Sequence, residues 1–258
     1  MKRLIPVVSA LALIAGTASA EDIKVGVSPG EHAEIMEEVA KIAEPMGLNI
    51  DVVEFSDYVV PNQALADGDI EANSFQHEPY LDNQVNDRGF ALVPVATTIT
   101  TPMGVYSESI TDMEAFPEGG SMGIPNDPTN GGRALLVLQS LGLITLAEGT
   151  GLVPTVLDIV ENPKDIRFRE LDAAQLPRSL ADLDAALINT NYAIASGLNP
   201  KEDSIAMESA DNPYVNIIVV REGDEEQPWV QPLIDAYHSP EIKAFIDEKY
   251  NGTVLTSW

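Results

Sequence analysis

The stretch "IKVGVSPGEHAEIMEEVAKIAEPMGLNIDVVEF", residues 23–55, decides the fold class. Residues 23–27 form a short apolar run that reads as a buried strand, and residues 48–55 read as a second strand. Between them Ile35, Val39, Ile42 and Met46 recur at helical spacing. Strand, helix and strand at this length make a βαβ unit, whose parallel pairing calls for a right-handed crossover.

Working outward, the same grammar continues. "PNQALADGD" (61–69) is a short helix and stop, "IEANSF" (70–75) a strand, "PYLDNQVNDRG" (79–89) a helix closed by Gly89, and "FALVPVATTIT" (90–100) a strand. From residue 103 the pattern restarts with strands at "MGVYS" and "SMGIP". A helix follows from Thr129 to Leu141, closed by Gly142, and then the strands "DIRFREL" (165–171) and "ALIN" (186–189), each expected to lead into a helix. The strand "YVNIIVVRE" (214–222) and two helices, "PWVQPLIDAYH" and "PEIKAFIDEKYNG", complete the chain. The expected fold is α/β with two lobes, each a mixed sheet flanked by helices. Residues 21–102 and 214–258 form lobe 1, residues 103–213 form lobe 2, and the chain crosses near residues 100 and 215. A cleft between lobes is where a small ligand sits.

Composition narrows the function. The 258 residues carry 41 acidic and 14 basic side chains, a formal net charge of -27, which disfavours nucleic acid and anionic lipid as partners. The opening "MKRLIPVVSALALIAGTASA" has two basic residues, an apolar run too short to span a bilayer and a small-residue ending. It reads as a secretory signal peptide cleaved after Ala20. The sequence contains no cysteine, hence no disulfide, thiolate metal site or lipid-accepting thiol. A periplasmic protein without a membrane tether is expected.

Catalytic signatures are weak. "GVSPG" (26–30) fits the G-x-S-x-G elbow of hydrolases, but Pro29 follows Ser28 where that architecture needs a backbone N–H. His32, His77 and His238 are too scattered for a zinc pair, the acidic residues have no calcium-loop spacing, and no phosphate-binding glycine motif occurs. No cofactor or metal is expected, and recognition fits better than catalysis.

Three segments carry candidate recognition chemistry. In "GIPNDPTNGGRALLVL" (123–138), a Pro, Asn and Asp turn precedes a helix, and Gly131 and Gly132 admit close backbone approach beside Arg133. A helix N-terminus with a guanidinium suits a carboxylate, although Arg133 could equally pair with one of many acidic side chains. In "ANSFQHEPYL" (72–81), Phe75 and His77 share one strand face and Tyr80 follows, either lining the cleft or packing in the core. Asn189 and Asn216 stand at the ends of apolar strands, where an amide can accept from an ammonium or serve a turn.

Together, "DYVVPNQALADGDIEANSFQHEPYLD", "PNDPTNGGRALLVLQSLGLI", "PTVLDIVENPKDIRFRELDAAQLPRSLADLDAALINTNYA" and "NPYVNIIVVRE" resemble the NlpA-type methionine-binding proteins over nearly the whole chain after the leader. These are substrate receptors of methionine ABC importers. The resemblance implies a type II-like periplasmic binding fold, no enzymatic activity, L-methionine as ligand and an importer's permease and ATPase as partners of a monomer. It further implies that Arg133 takes the ligand carboxylate, that Asn189 and Asn216 hold the ammonium, and that Tyr58, Phe75, His77 and Tyr80 enclose the thioether. On this reading Arg133→Ala abolishes binding and leaves the thermal transition of the empty protein within a few degrees. The alternatives are a periplasmic hydrolase using Ser28, or the same fold with D-methionine, a methionine dipeptide or another apolar amino acid as cargo. Family members commonly carry a lipidated cysteine after the leader, which this sequence lacks.

Overall fold

A computed structural model describes residues 20–258; apart from Ala20, the predicted signal peptide lies outside the described residues. Strand β1 (Glu21–Val27) leads into helix α1 (Glu31–Ala43), and β2 (Leu48–Glu54) returns parallel to β1, Glu21 opposite Leu48 and Val27 opposite Glu54. The periodicity of α1 fails at its last residue. Pro45 lacks the N–H that would continue the helix, so a 3-10 turn forms over Glu44–Met46 and Met46 is exposed. Met36 joins Ile35 and Val39 on the buried face instead.

Next come α2 (Val60–Asp67), β3 (Ala72–His77), α3 (Glu78–Arg88) and β4 (Leu92–Thr100). A second run comprises β5 (Gly104–Tyr106), β6 (Ser121–Pro125), α4 (Pro128–Ser140), the small hairpin β7 (Thr145–Leu146) and β8 (Ile159–Glu161), then β9 (Arg167–Leu171). The helix expected after β9 is replaced by 3-10 segments at Ala173–Gln175 and Pro177–Asp182, with Pro177 again removing a helical donor. The run closes with β10 (Ala185–Ile188), α5 (Thr190–Ala195), α6 (Pro200–Asp203) and β11 (Ser204–Met207). The chain ends in β12 (Val215–Arg221), α7 (Val230–Tyr237), α8 (Pro240–Tyr250) and β13 (Leu255–Thr256).

These strands make two mixed sheets, ordered β13-β4-β12-β3-β1-β2 and β11-β5-β10-β6-β9. In the larger, β1 runs parallel to β2 and β3, while β12 is antiparallel to both β3 and β4. In the smaller, β10 is parallel to β6 and antiparallel to β5.

Alternation along the central strands explains the layering. Ile218 and Val220 of β12 pack with α1, α7 and α8, whereas Ile217 and Val219 pack on the other face with Leu65 of α2 and Leu81 of α3. In β10, Ala185 and Leu187 meet α4 residues such as Leu135, while Ala186 and Ile188 meet Leu176, Leu180 and Tyr192. Each sheet is therefore covered on both faces, and its strands read as near-continuous apolar runs. The fold is α/β with two sheets, the two-lobed arrangement expected from the sequence. The chain passes between the sheets at 101–103 and 208–214.

Candidate ligand-binding site

Arg133, Asn189, Asn216, Tyr58, Phe75, His77 and Tyr80 all line one cavity, to which both sheets contribute. His32, Gln76, Thr101, Asn130 and Asn191 complete its lining.

Arg133 lies on the second turn of α4. The first turn is already satisfied: the Asp127 carboxylate accepts from the Asn130 backbone N–H at 2.9 Å, the Thr129 hydroxyl at 3.0 Å and the Asn130 side-chain amide at 3.0 and 3.1 Å. Burial raises the carboxyl pKa of Asp127 and these hydrogen bonds oppose the shift. The glycines beside Arg133 serve the protein's own packing. A Cβ on Gly131 would sit 2.7 Å from the Pro125 carbonyl, and one on Gly132 2.8 Å from the Leu152 carbonyl. The close approach they permit is thus of chain to chain, not of chain to ligand.

Nor is Arg133 a free cation. Its Nε donates to Glu208 at 3.0 and 3.1 Å, its Nη2 pairs with Glu208 and donates to the Thr101 carbonyl at 2.8 Å, and its Cζ lies 4.4 Å over the Tyr214 ring. Nη1 makes no hydrogen bond among the described residues, and Arg133 lines the cavity.

The amides form a directed chain. His77 Nδ1 accepts from the Tyr80 backbone N–H at 3.1 Å, so its proton sits on Nε2, which donates to Asn130 Oδ1 at 3.3 Å. Burial, followed by the charge of Arg133, lowers the His77 pKa to about 3, so the ring is neutral. Asn189 Nδ2 also donates to Asn130 Oδ1, at 2.8 Å, which leaves Asn189 Oδ1 buried without a partner. Asn189 occupies the N-cap position of α5, yet its side chain makes no capping bond. Asn216 Nδ2 donates to the Ile99 carbonyl at 3.1 Å, leaving its Oδ1 unpaired in protein. Asn191 presents the complement: Oδ1 accepts from the Tyr58 hydroxyl at 2.5 Å, and Nδ2 is a buried donor without a partner.

Aromatic rings make the remaining wall. Tyr58 lies 6.0 Å from Phe75, 6.1 Å from Tyr80 and 4.9 Å from Tyr192, and Phe75 meets Tyr80 edge-on at 6.0 Å. The Tyr80 hydroxyl donates to the Tyr58 carbonyl at 2.9 Å, which fixes the loop before α2. Burial lifts the Tyr58 phenol pKa well above its ordinary value.

Five lining residues escaped the sequence reading. Gln76 did so because strict alternation puts it on the face opposite Phe75 and His77. The β3 register against β12 slips between the Ile217 and Val219 pairs, a bulge that turns the strand end. A closed amide cluster holds that end: Asn62 Nδ2 donates to Gln76 Oε1 at 2.8 Å, and Asn73 Nδ2 and Gln76 Nε2 donate to Asn62 Oδ1 at 2.9 and 2.7 Å. Asn130 and Asn191 stand inside quoted motifs, in the first turns of α4 and α5, where an asparagine ordinarily signals capping alone.

The NlpA lipoprotein family model matches residues 23–258, almost all of the described chain. The chain belongs to the NlpA lipoprotein family. Among the relatives of this NlpA-family chain is the D-methionine-binding lipoprotein MetQ of Salmonella typhimurium, 48% identical over 239 residues, with 92% of this chain and 88% of the relative covered. A nutrient binding protein from Burkholderia cenocepacia bound to methionine is 51% identical with a TM-score of 0.89, covering 92% of this chain and 100% of that one. An ABC transporter periplasmic substrate-binding protein from Coxiella burnetii is 41% identical with a TM-score of 0.87, covering 91% and 100%.

Proposed function

We propose that this protein captures methionine in the cavity between its sheets and delivers it to the permease and ATPase of an ABC importer. The observation that carries the reading is the partnering of the cavity's polar atoms. Two amide oxygens, of Asn189 and Asn216, lack protein donors; one guanidinium nitrogen, Arg133 Nη1, and one amide nitrogen, Asn191 Nδ2, lack acceptors. Unpaired acceptors and donors in one cavity match an ammonium and a carboxylate. Asn189 Oδ1 and Asn191 Nδ2 are fully buried, and such atoms are costly unless a ligand or water satisfies them.

In this reading Arg133 takes the carboxylate, Asn189 and Asn216 hold the ammonium, and Tyr58, Phe75, His77 and Tyr80 surround the side chain. A polarizable thioether gains about 0.3–1.5 kcal/mol from each aromatic contact. Lobe 1 comprises 21–102 and 214–258, lobe 2 comprises 103–213, and ligand shifts the population towards the closed form. Residues 1–20 direct export, and the protein acts in the periplasm as a monomer. With no cysteine in the sequence, lipidation of the kind named in the relatives has no acceptor. A hydrolase reading lacks support, since Ser28 Oγ is buried with no hydrogen-bonding partner to activate it and Pro29 follows it.

Calorimetric titration of ligand-stripped protein with L-methionine, D-methionine and a methionine dipeptide tests the proposal. One saturable site for a methionine enantiomer is expected. No heat for any of the three at millimolar concentration overturns it, and the ranking of the three identifies the cargo.

A further inference from the structure

Glu208 does not itself line the cavity, yet its carboxylate, largely withdrawn from solvent, holds Arg133, which does. Its side chain is 8% exposed. It accepts from Arg133 Nε at 3.0 and 3.1 Å, pairs with Arg133 Nη2, and accepts from the Met103 backbone N–H at 3.0 Å. Glu208 stands on one passage of chain between the sheets and Met103 on the other, so the carboxylate fastens the guanidinium to both. The Nε–Nη2 edge is thereby held from behind, and Nη1 is left to the ligand.

The charge balance follows from the same contacts. Besides Arg133, the titratable lining groups are His32, His77 and tyrosines. Burial keeps both imidazoles neutral, with pKa values lowered to about 4 and about 3. Two carboxylates lie nearby: Asp127, half-buried, is consumed by the α4 cap, where the helix N-terminus offsets its charge, and Glu31, beside His32, is held neutral by burial, its pKa raised to about 8. Arg133 is thus the full charge at the cavity surface, and Glu208 cancels it.

We propose that Glu208 sets the charge specificity of the site, so that it accepts an amino acid as its zwitterion and discriminates against molecules of the same shape bearing only a carboxylate. A lone guanidinium favours any anion. A carboxylate behind it, across the guanidinium from the incoming one, opposes an anion by about tenfold or more at an effective dielectric constant of about 20. The same carboxylate attracts the ammonium of a zwitterion, which therefore loses little. The inference rests on the amino-acid reading above.

The test compares L-methionine with 4-(methylthio)butanoate, which lacks the ammonium, and 3-(methylthio)propylamine, which lacks the carboxylate. Affinities are measured for the wild-type protein and for Glu208→Gln, which keeps an acceptor for Arg133 and Met103 but removes the charge. In the wild type, methionine binds at least about tenfold tighter than either analogue. In Glu208→Gln, the ratio of butanoate to methionine affinity rises by about tenfold. A ratio unchanged within about twofold, in a variant that binds methionine, overturns the role of Glu208 and leaves the amino-acid reading standing. Wild-type protein that binds the butanoate as tightly as methionine overturns it without any variant. Failure of the wild type to bind methionine removes the amino-acid reading and this inference with it.

Discussion

At the scale of single residues, Arg133 shows how a buried ion pair changes the expected cost of a substitution. Considered as a reserved cation, it could be lost with little effect on the empty protein. Paired with Glu208, it cannot, because its removal strands a buried carboxylate that also holds the Met103 amide. Breaking one side of such a pair costs about 3–5 kcal/mol. We therefore expect Arg133→Ala to abolish methionine binding and also to lower the thermal midpoint of the empty protein by roughly 6–20 °C, at ~2–4 °C per kcal/mol for a chain of this size. Differential scanning calorimetry without ligand checks this, and an unchanged midpoint would show that Glu208 finds another partner. The double variant Arg133→Met with Glu208→Leu, which removes both charges, should recover much of the stability but none of the binding.

At the scale of elements, the first turn of α1 is where the larger sheet's helix meets the smaller sheet's α5. Gly30 (φ 88°) precedes it, and a Cβ there would lie 2.5 Å from the Asn191 carbonyl. Glu31, fully buried, has no hydrogen-bonding partner for either carboxyl oxygen. Burial raises its pKa from 4.5 to about 8, a shift that the dipole of its own backbone N–H opposes and the charge of Glu34 helps. His32 lies 4.0 Å away, but with its pKa lowered from 6.5 to about 4, two neutral groups meet rather than an ion pair. The signs differ. The folded state holds the Glu31 proton that the unfolded chain releases above pH 4.5, so this group's contribution is favourable below that pH and its penalty grows until pH 8. The unfolded chain instead takes up the His32 proton below pH 6.5, which penalises folding at acid pH. Glu31→Gln is accordingly expected to stabilise the protein by about 2–4 kcal/mol at pH 8 relative to wild type, and much less at pH 5. Urea unfolding at the two pH values measures the difference; equal effects at both would mean that Glu31 is ionised in the fold.

At the scale of the whole molecule, each sheet has apolar clusters of its own, bridged where Ile194 of α5 packs on the larger sheet's cluster and Tyr58 on the smaller sheet's, and polar contacts join them beside the cavity. The Tyr58 hydroxyl donates to Asn191 at 2.5 Å, and the Tyr192 hydroxyl donates to the Ser56 carbonyl at 3.3 Å. Both contacts join the loop before α2 to α5. They should therefore weigh on closure more than on the stability of either core. Tyr58→Phe, which keeps the ring against Phe75, Tyr80 and Tyr192, should weaken methionine binding about fivefold, the worth of one hydrogen bond near 1 kcal/mol. The thermal midpoint of the empty protein should stay nearly constant. Titration and thermal scanning of the same preparation separate the two effects.

Much of this was legible in residue order. Apolar runs that alternate with helical periods determined two successive α/β sheets, because buried faces must be filled and each period fits one backbone geometry. The motifs around Phe75, Arg133, Asn189 and Asn216 also marked the cavity wall, since polar and aromatic residues at strand ends have little packing reason to be there. What the tertiary structure decided was partnership. Only the folded chain brings Glu208 to Arg133, 75 positions away, and sends Asn189 to Asn130 rather than to its own helix cap. Pairing across such separations leaves no local period. It arises when two passages of chain between the sheets bring distant residues into a cavity, where an unpaired charge or amide is too costly to leave alone.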